Sequence, residues 1–441
     1  MPPASYVVVD RTGIKGPIRY WHLQFSRQHN GNGLSTREAA RRVRELLTEG
    51  VARPLISDVP LGALLSGGLD SSIVVGLMSQ LLKEPVRTFT IGLADATSFD
   101  ERPYAAIAAQ CFKTDHTEFV VNPDAMALME LLLWHHDQPF GDSSAIPTYL
   151  VSKLARQQVT VVLNGDGGDE VFGGYDRFLG ALIAERTPKF LAPVGHALAR
   201  CLPRQDGYYS LRRRLERFLG WISYFNFAQL MPLLRPEVAA LVDGEQLRDE
   251  NKCWDTEAEG LPLLHRLLHL NFTTYLPDDL HAKMDRMSMA NALETRSPML
   301  DTALVEYAAS LPPQLKIHRT QMKYVLRLAF RDLLPSALLN RKKHGFGAPL
   351  ARWFRHQLRA YVEETLLTPG ARLRAYLNQD IVRTLFHEHV DGVRQHWDRL
   401  CVLLSFELWL RMLEDGTLWT PRRPEMDTSI DVTEVTRHSY V

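Results

Sequence analysis

Leu64-Leu65-Ser66-Gly67-Gly68-Leu69-Asp70-Ser71-Ser72 is the stretch that decides how this chain is read. Val59-Pro60-Leu61-Gly62-Ala63 leads into it as a short apolar run of the kind that forms a buried parallel strand. Ile73-Val74-Val75-Gly76-Leu77-Met78 leaves it as the first turns of a packed helix. Strand, glycine turn and helix together aim backbone N–H groups at an anion. Gly67 and Gly68 let the backbone approach a phosphate and take conformations closed to other residues. Ser66, Ser71 and Ser72 add hydroxyl donors at the same helix mouth. Asp70 is out of place beside phosphate unless a Mg²⁺ ion lies between them. No Gly-Lys-Ser/Thr follows, so this is not a Walker-type loop. A bare Ser-Gly-Gly would also serve as an ordinary βα turn with capping serines.

Working outward, the bulk properties set limits. The 441 residues suit two or three domains, or one large α/β domain with a helical annex, and 45% are hydrophobic, enough for a sizeable core. Lys+Arg and Asp+Glu balance at 51 each, so no global field favours nucleic acid or a membrane surface. Cys111, Cys201, Cys253 and Cys401 lie far apart and form no Cys-x-x-Cys pair. That argues against a zinc site or a disulfide framework and fits a reducing cytoplasm. The start, Met1-Pro2-Pro3-Ala4-Ser5, has no signal-peptide pattern. No apolar run approaches the roughly 20 residues that span a bilayer.

In chain order, Tyr6-Val7-Val8-Val9-Asp10 and Ile18-Arg19-Tyr20-Trp21 read as a hairpin joined by turn residues. A lone hairpin is marginal, so this one is expected to pack on something. His29-Asn30-Gly31-Asn32-Gly33 reads as a linker, and Thr36 as the cap of a helix through Leu47. After the loop helix come strands at Val86–Gly92, His116–Val121 and Val159–Leu163, with helices at Ser98–Tyr104 onward, Asp124–His136 and Ile146–Arg156. Alternating strands and helices predict a doubly wound parallel sheet, with ligands beyond the carboxyl ends of its strands. Ser66, Ile91 and Asn164 fall at such ends. From about Asp176 the pattern turns helical. Arg212–Leu219 reads as a basic amphipathic helix, and His265 and His269 as ordinary buried residues. The basic runs Arg341-Lys342-Lys343 and Arg422-Arg423 are solvated by default. Residues 421–441 are polar and are expected to be a disordered tail.

A second constellation follows the last of these strands. Asn164-Gly165-Asp166-Gly167-Gly168-Asp169-Glu170-Val171-Phe172-Gly173-Gly174-Tyr175 sets three carboxylates among glycines in one loop. Alone it also fits an acidic turn or a calcium site, although the spacing of a calcium hand is not met. Placed after a buried strand, it projects over the same rim as Ser66 to Ser72. Carboxylates facing a phosphate loop suit Mg²⁺-ATP, where the metal neutralises charge as pyrophosphate departs.

The loop around Ser66 looks like the pyrophosphatase loop of ATP-dependent adenylating enzymes. More narrowly, the chain resembles the synthetase domain of the asparagine synthetases in several blocks between Leu55 and Phe354. The resemblance implies a sheet of the adenine-nucleotide α-hydrolase, or PP-loop ATP pyrophosphatase, type with a C-terminal helical region. It implies a synthetase domain over 31–420 preceded, in 1–30, by the last hairpin of a glutaminase-like domain. Such glutaminases begin with a cysteine. Here Pro2 follows Met1, so ammonia is expected from solution or from a separate glutaminase chain.

Residue by residue, the resemblance places Ser66, Gly67, Gly68, Asp70, Ser71 and Ser72 on the triphosphate of ATP. Leu64 and Ile91 frame adenine through their backbone. The Gly165 backbone meets the nucleotide, and Asp166 lies near the acyl-adenylate. Asp70, Asp169 and Glu170 fall on the Mg²⁺ side. Lys323, in Gln321-Met322-Lys323-Tyr324, reaches the site, where its ammonium stabilises charge on the α-phosphate and on the tetrahedral intermediate. Arg341-Lys342-Lys343-His344-Gly345-Phe346-Gly347 looks like a basic segment suited to pyrophosphate, and Asp137–Thr148 like a loop that contacts the carboxylate substrate. Asp285 and Arg286 are candidates to face the pocket, while Glu294 and Arg296 read as a structural ion pair. Ser297 departs from the family's commoner valine, which puts the substrate pocket in question.

The expected reaction is amidation of the aspartate side chain by ammonia through an acyl-adenylate, giving asparagine, AMP and pyrophosphate. Two rivals stay open. The same scaffold makes internal amides in β-lactam synthetases and lasso-peptide cyclases. A non-catalytic nucleotide-binding partner of another synthetase is the second.

Overall fold

The computed structural model describes residues 1–27, 33–94, 100–186, 223–242, 258–341, 345–419 and 430–440. Arg212–Leu219, Lys342-Lys343 and Arg422-Arg423 lie outside the described residues, as does most of the 29–33 linker.

Strands β1 (Ser5–Asp10) and β2 (Gly13–Arg19) form the antiparallel hairpin. Its expected packing is not met within the described chain: every residue from Tyr6 to Tyr20 is exposed. The chain is first anchored at Trp21, which donates to Glu306 at 2.8 Å and packs against the core, and then at Leu23 and Phe25, both buried. Helix α1 (Thr36–Ala52) follows, and its cap is Ser35 instead of Thr36. The Ser35 hydroxyl accepts from the Glu38 N–H while the Glu38 carboxylate accepts from the Ser35 N–H, a reciprocal capping box.

The rest is built on a six-stranded sheet. In chain order its elements are β3 (Leu61–Leu64), α2 (Leu69–Leu81), β4 (Arg87–Leu93), α3 (Arg102–Phe112), β5 (Asp115–Pro123), α4 (Ala125–His136), α5 (Ala145–Ala155), β6 (Val161–Leu163), α6 (Gly168–Phe172), β7 (Glu294–Arg296) and β8 (Ile430–Ser439). The spatial order is β7-β6-β3-β4-β5-β8. The neighbours from β7 through β5 pair in parallel, and β8 is antiparallel to β5. The expectation of a disordered 421–441 tail is therefore corrected for Ile430–Ser439. The strand is held by a backbone ladder on β5, broken by one bulge at Val120–Val121, and by an Arg437–Asp115 ion pair at 2.8 Å.

Period-two alternation sorts the side chains of the strands between the two faces. Phe89, Ile91, Leu93, Phe119 and Val121 pack with α4, α5 and the helix Trp397–Glu414. Ala63, Leu65 and Leu163 pack on the other side with α1, α2 and α3. Ile73, Val74 and Val75 of α2 are wholly buried. Each such side chain contributes about 1.5–3 kcal/mol relative to exposure. The helix that begins at the serine-glycine turn is thus anchored by its packing.

The chain runs outward from β3 through β4 to β5, then returns across the sheet to place β6 on the other side of β3. Between β3 and β6 the winding reverses. That is where an open parallel sheet leaves a crevice beyond its carboxyl ends.

Candidate active site

The turn after β3 and the turn after β6 meet in that crevice. Gly67 has φ +67°, open to glycine at little cost, and a Cβ there would strike the Tyr104 backbone. The Ser66 and Ser71 hydroxyls lie 3.0 Å apart, and the Ser66 hydroxyl also accepts from the Gly68 N–H at 3.2 Å. Gly68 is the N-cap of α2 and supplies no side-chain cap. Gly68 thus puts no side chain over the first N–H groups of α2, which stand at the positive end of the helix dipole.

The acidic turn sits directly on this helix mouth. A Cβ on Gly165 would come within 2.6 Å of the Ser71 nitrogen, so only glycine permits the approach. Asn164 and Asp166 bond each other, with the Asn164 amide donating to the Asp166 carboxylate at 2.9 Å and accepting from the Asp166 N–H at 3.2 Å. Ser297 donates to the same Asn164 side chain at 2.8 Å. It braces the acidic turn from behind and is not part of the cavity wall.

Together these turns wall a cavity of about 850 Å³. Leu64, Ser66, Gly68, Asp70, Ser71, Ile91, Gly165, Asp166, Asp169, Glu170 and Lys323 all contribute to its lining. Two residues expected on the nucleotide do not: Gly67 shapes the turn, and Ser72 is wholly buried in α2. Asp285 and Arg286 are also absent from the wall; the Arg286 guanidinium is turned to the His136 carbonyl. Glu294 and Arg296 are paired at 2.6 Å, the structural arrangement expected of them.

Lys323 reaches the two turns from a distant part of the chain. Its ammonium pairs with Asp70 and, at 2.6 Å, with Asp169. Burial works against its charge, but the two carboxylates hold its pKa above the ordinary lysine value. The three carboxylates expected together on a metal are therefore divided between partners. Asp70 and Asp169 share the lysine, and Glu170 accepts from the Tyr175 hydroxyl. Among the described residues no three His, Cys, Asp or Glu side chains are grouped so as to hold an ion. Asp70 and Asp169 remain hard oxygen donors close enough to share a cation. They suit Mg²⁺ when phosphate oxygens and water complete its shell.

Two supporting groups, Lys283 and Asp279, escaped the sequence reading, and Arg341 was read only as part of a basic run. Lys283, on the helix Ala282–Met289, pairs with Asp142 at 2.8 Å and donates to the Ser144 hydroxyl at 2.6 Å. Burial opposes the Asp142 charge, but Lys283 holds that carboxyl below its usual range. Nearby, burial and then Asp142 push Asp279 up to about 7. Arg341 donates to the Ser66 carbonyl at 2.8 Å and to Glu101 at 2.7 Å, and stacks on Tyr104 at 4.2 Å. It clamps the serine-glycine turn to the start of α3. A lysine or arginine in a helical pattern looks solvated in sequence, and only its distant partner shows otherwise.

The wall thus joins backbone donors at a helix mouth, a buried cation and paired carboxylates. Such a set can hold a polyphosphate, balance charge developing at phosphorus, and keep an acid oriented beside it. Among the described residues no helix is long and apolar enough to cross a membrane.

Comparison with known proteins shows the family. The family model for asparagine synthase matches residues 42–411. The chain is 30% identical over 381 residues to asparagine synthetase [glutamine-hydrolyzing] 1 of Bacillus subtilis, covering 84% of this chain and 58% of that protein. It is 32% identical to a putative asparagine synthetase [glutamine-hydrolyzing] of Mycobacterium tuberculosis, over 83% of this chain and 57% of that protein. A third relative, putative asparagine synthetase [glutamine-hydrolyzing] 2 of Methanocaldococcus jannaschii, is 39% identical over 254 residues, 56% of this chain and 48% of that one. The chain spans less than two thirds of the length of these relatives. With the match running through both turns and Lys323, the chain belongs to the asparagine synthase family.

Proposed function

We propose that this chain is an AMP-forming carboxylate–amine ligase of the asparagine synthetase kind, built on a PP-loop ATP pyrophosphatase sheet. One observation carries the reading. The serine-glycine turn and the acid-rich turn meet at the reversal of the sheet in one cavity, with Lys323 between Asp70 and Asp169.

In this reading the α2 mouth, with Ser66, Gly68 and Ser71, binds the triphosphate, and the Leu64 and Ile91 backbones frame adenine. A side-chain carboxylate of the acid, aspartate by family, attacks the α-phosphorus and pyrophosphate leaves. Lys323 stabilises the charge that builds at the α-phosphate. An amine, ammonia by family, then attacks the acyl carbon and expels AMP. Asp166 stands beside the acyl group, where a carboxylate can take the proton that the amine gives up. Asp70 and Asp169 are the residues that would hold Mg²⁺, which when bound would supply positive charge against the departing pyrophosphate; Glu170, which accepts from the Tyr175 hydroxyl, lies on the same side. Ammonia comes from solution or a separate glutaminase chain. The free thiols of Cys111 and Cys401 suit a reducing cytoplasm.

The test is a mixture of aspartate, ammonium, ATP and Mg²⁺, followed by separation of nucleotides. AMP and asparagine in equal amounts support the reading. No AMP from that mixture, with AMP from a substrate carrying its own amine, replaces ammonia by an internal nucleophile. Binding of ATP with no AMP from any acid overturns the assignment as a ligase.

A further inference from the structure

We infer that Lys323 is the resident counter-cation of the Asp70–Asp169 pair, so that a divalent metal enters only together with a nucleotide whose phosphates draw the ammonium away. The inference rests on the Mg²⁺-ATP reading and concerns the order in which the site fills.

The geometry leaves one place for a cation. Asp70 comes from the first turn of α2 and Asp169 from α6, and both close on the same Nζ, Asp169 at 2.6 Å. The side chains of Lys323, Asp70 and Asp169 are only 6%, 15% and 10% exposed. Two carboxylates this close in a sheltered place cannot both stay ionised without a positive charge between them. The lysine supplies it. A Mg²⁺ ion bridging the same oxygens would need contacts of about 2.0–2.1 Å and would overlap the ammonium. Metal and lysine therefore compete for one position.

Lys323 stands between the carboxylates and the open cavity. It is the N-cap of the helix Tyr324–Ala329, with φ +53°, a left-handed conformation uncommon for a residue with a side chain and often found at functional sites. Its flexible four-carbon stem can shift the ammonium without moving the helix. It also lines the large cavity, so there is room on the phosphate side. A triphosphate at the α2 mouth gives the ammonium anionic oxygens in exchange for the carboxylates. It gives the metal the extra oxygens that two carboxylates lack. Nucleotide and metal then bind cooperatively, and metal alone is refused.

Mn²⁺ is the probe, with free ion measured by electron paramagnetic resonance and no turnover needed. In the wild type, Mn²⁺ binds weakly alone and at least ten-fold more tightly with a non-hydrolysable ATP analogue. In K323M without nucleotide, Mn²⁺ binds at least ten-fold more tightly than in the wild type. K323R keeps a cation in place and binds as weakly as the wild type, and K323M/D169N loses the gain. Equal Mn²⁺ affinity in nucleotide-free wild type and K323M overturns the inference. So does wild type that binds Mn²⁺ equally well with and without the analogue, a result that needs no variant to fold. Failure of the nucleotide reading shows separately, as no binding of the analogue itself, and leaves the K323M comparison intact.

Discussion

Lys316 and Lys323 lie close together in the chain and are both buried, yet they are held in opposite ways. Lys323 sits between two carboxylates and keeps its proton above the ordinary lysine range. The Lys316 amine bonds the Leu311 carbonyl at 2.8 Å and the His265 ring at 3.0 Å, and burial pushes its pKa well below 10.5. His265 in turn bonds the Ser26 carbonyl at 2.7 Å, so this network ties the Leu23–Ser26 segment to the body of the protein. Burial alone therefore does not determine what a lysine does. The partner does: opposite charge keeps the amine an ammonium, and neutral partners leave it a structural hydrogen-bonding group.

The largest test of this contrast removes each amine. K323M should lower AMP formation by about 10²–10³-fold, the usual cost of one group that stabilises charge in the transition state. K316M should retain most of that activity, since Lys316 is not part of the cavity wall. Single-turnover measurement of AMP release checks both. Equal losses would erase the distinction.

The next test moves the anionic partners of Lys323 without touching their charge. G165A places a methyl against the start of α2 and pushes apart the turns that carry Asp70 and Asp169. A loss of about 1–3 kcal/mol in stability is expected for such overpacking, together with weaker ATP-analogue binding. Urea unfolding and calorimetric titration measure the two.

A finer test uses pH. The pKa of Lys316 is lowered on folding, so below 10.5 the unfolded chain binds more protons than the folded one. Stability should rise with pH through a window that ends at 10.5, and K316M should flatten that rise. Lys323 has the opposite sign, and its contribution is lost only as pH climbs above the ordinary lysine value. Urea midpoints between pH 7 and 10, compared with K316M, show whether the slope belongs to Lys316.

The last test concerns Asp279, whose carboxyl is raised from 3.8 to about 7. A raised carboxyl stabilises the fold below 3.8, and that contribution is lost as pH rises to about 7. D279N should lose less stability than the wild type across that window. Thermal melts at several pH values between 4 and 8 provide the check.

Much of the frame was legible in advance, for local reasons. The strands preceding both turns carry unbroken apolar runs, and their ends were read to within a few residues. The cap of α1 was misplaced by one position because Ser35 and Thr36 are both capable caps. Only the pairing of Ser35 with Glu38 decides between them. The last strand was missed because Ile430-Asp431-Val432-Thr433-Glu434-Val435 is as polar as it is apolar. Its alternation was the available signal. What orders it is the edge of β5, which propensity does not contain. Lys283 drew no reading, and Arg341 was read as solvated or as suited to pyrophosphate, because their partners Asp142 and Glu101 are far away in the chain.

By itself, the sequence determined the two turns, because glycine spacing, flanking strands and the following helix are local and act on the backbone directly. Only the tertiary structure decided which charges meet: Lys323 with Asp70 and Asp169, Lys283 with Asp142, Arg341 with Glu101. The physical reason is that a buried charge takes its state from the groups a few ångströms away in a sheltered medium. Those neighbours are chosen by how the sheet and helices pack.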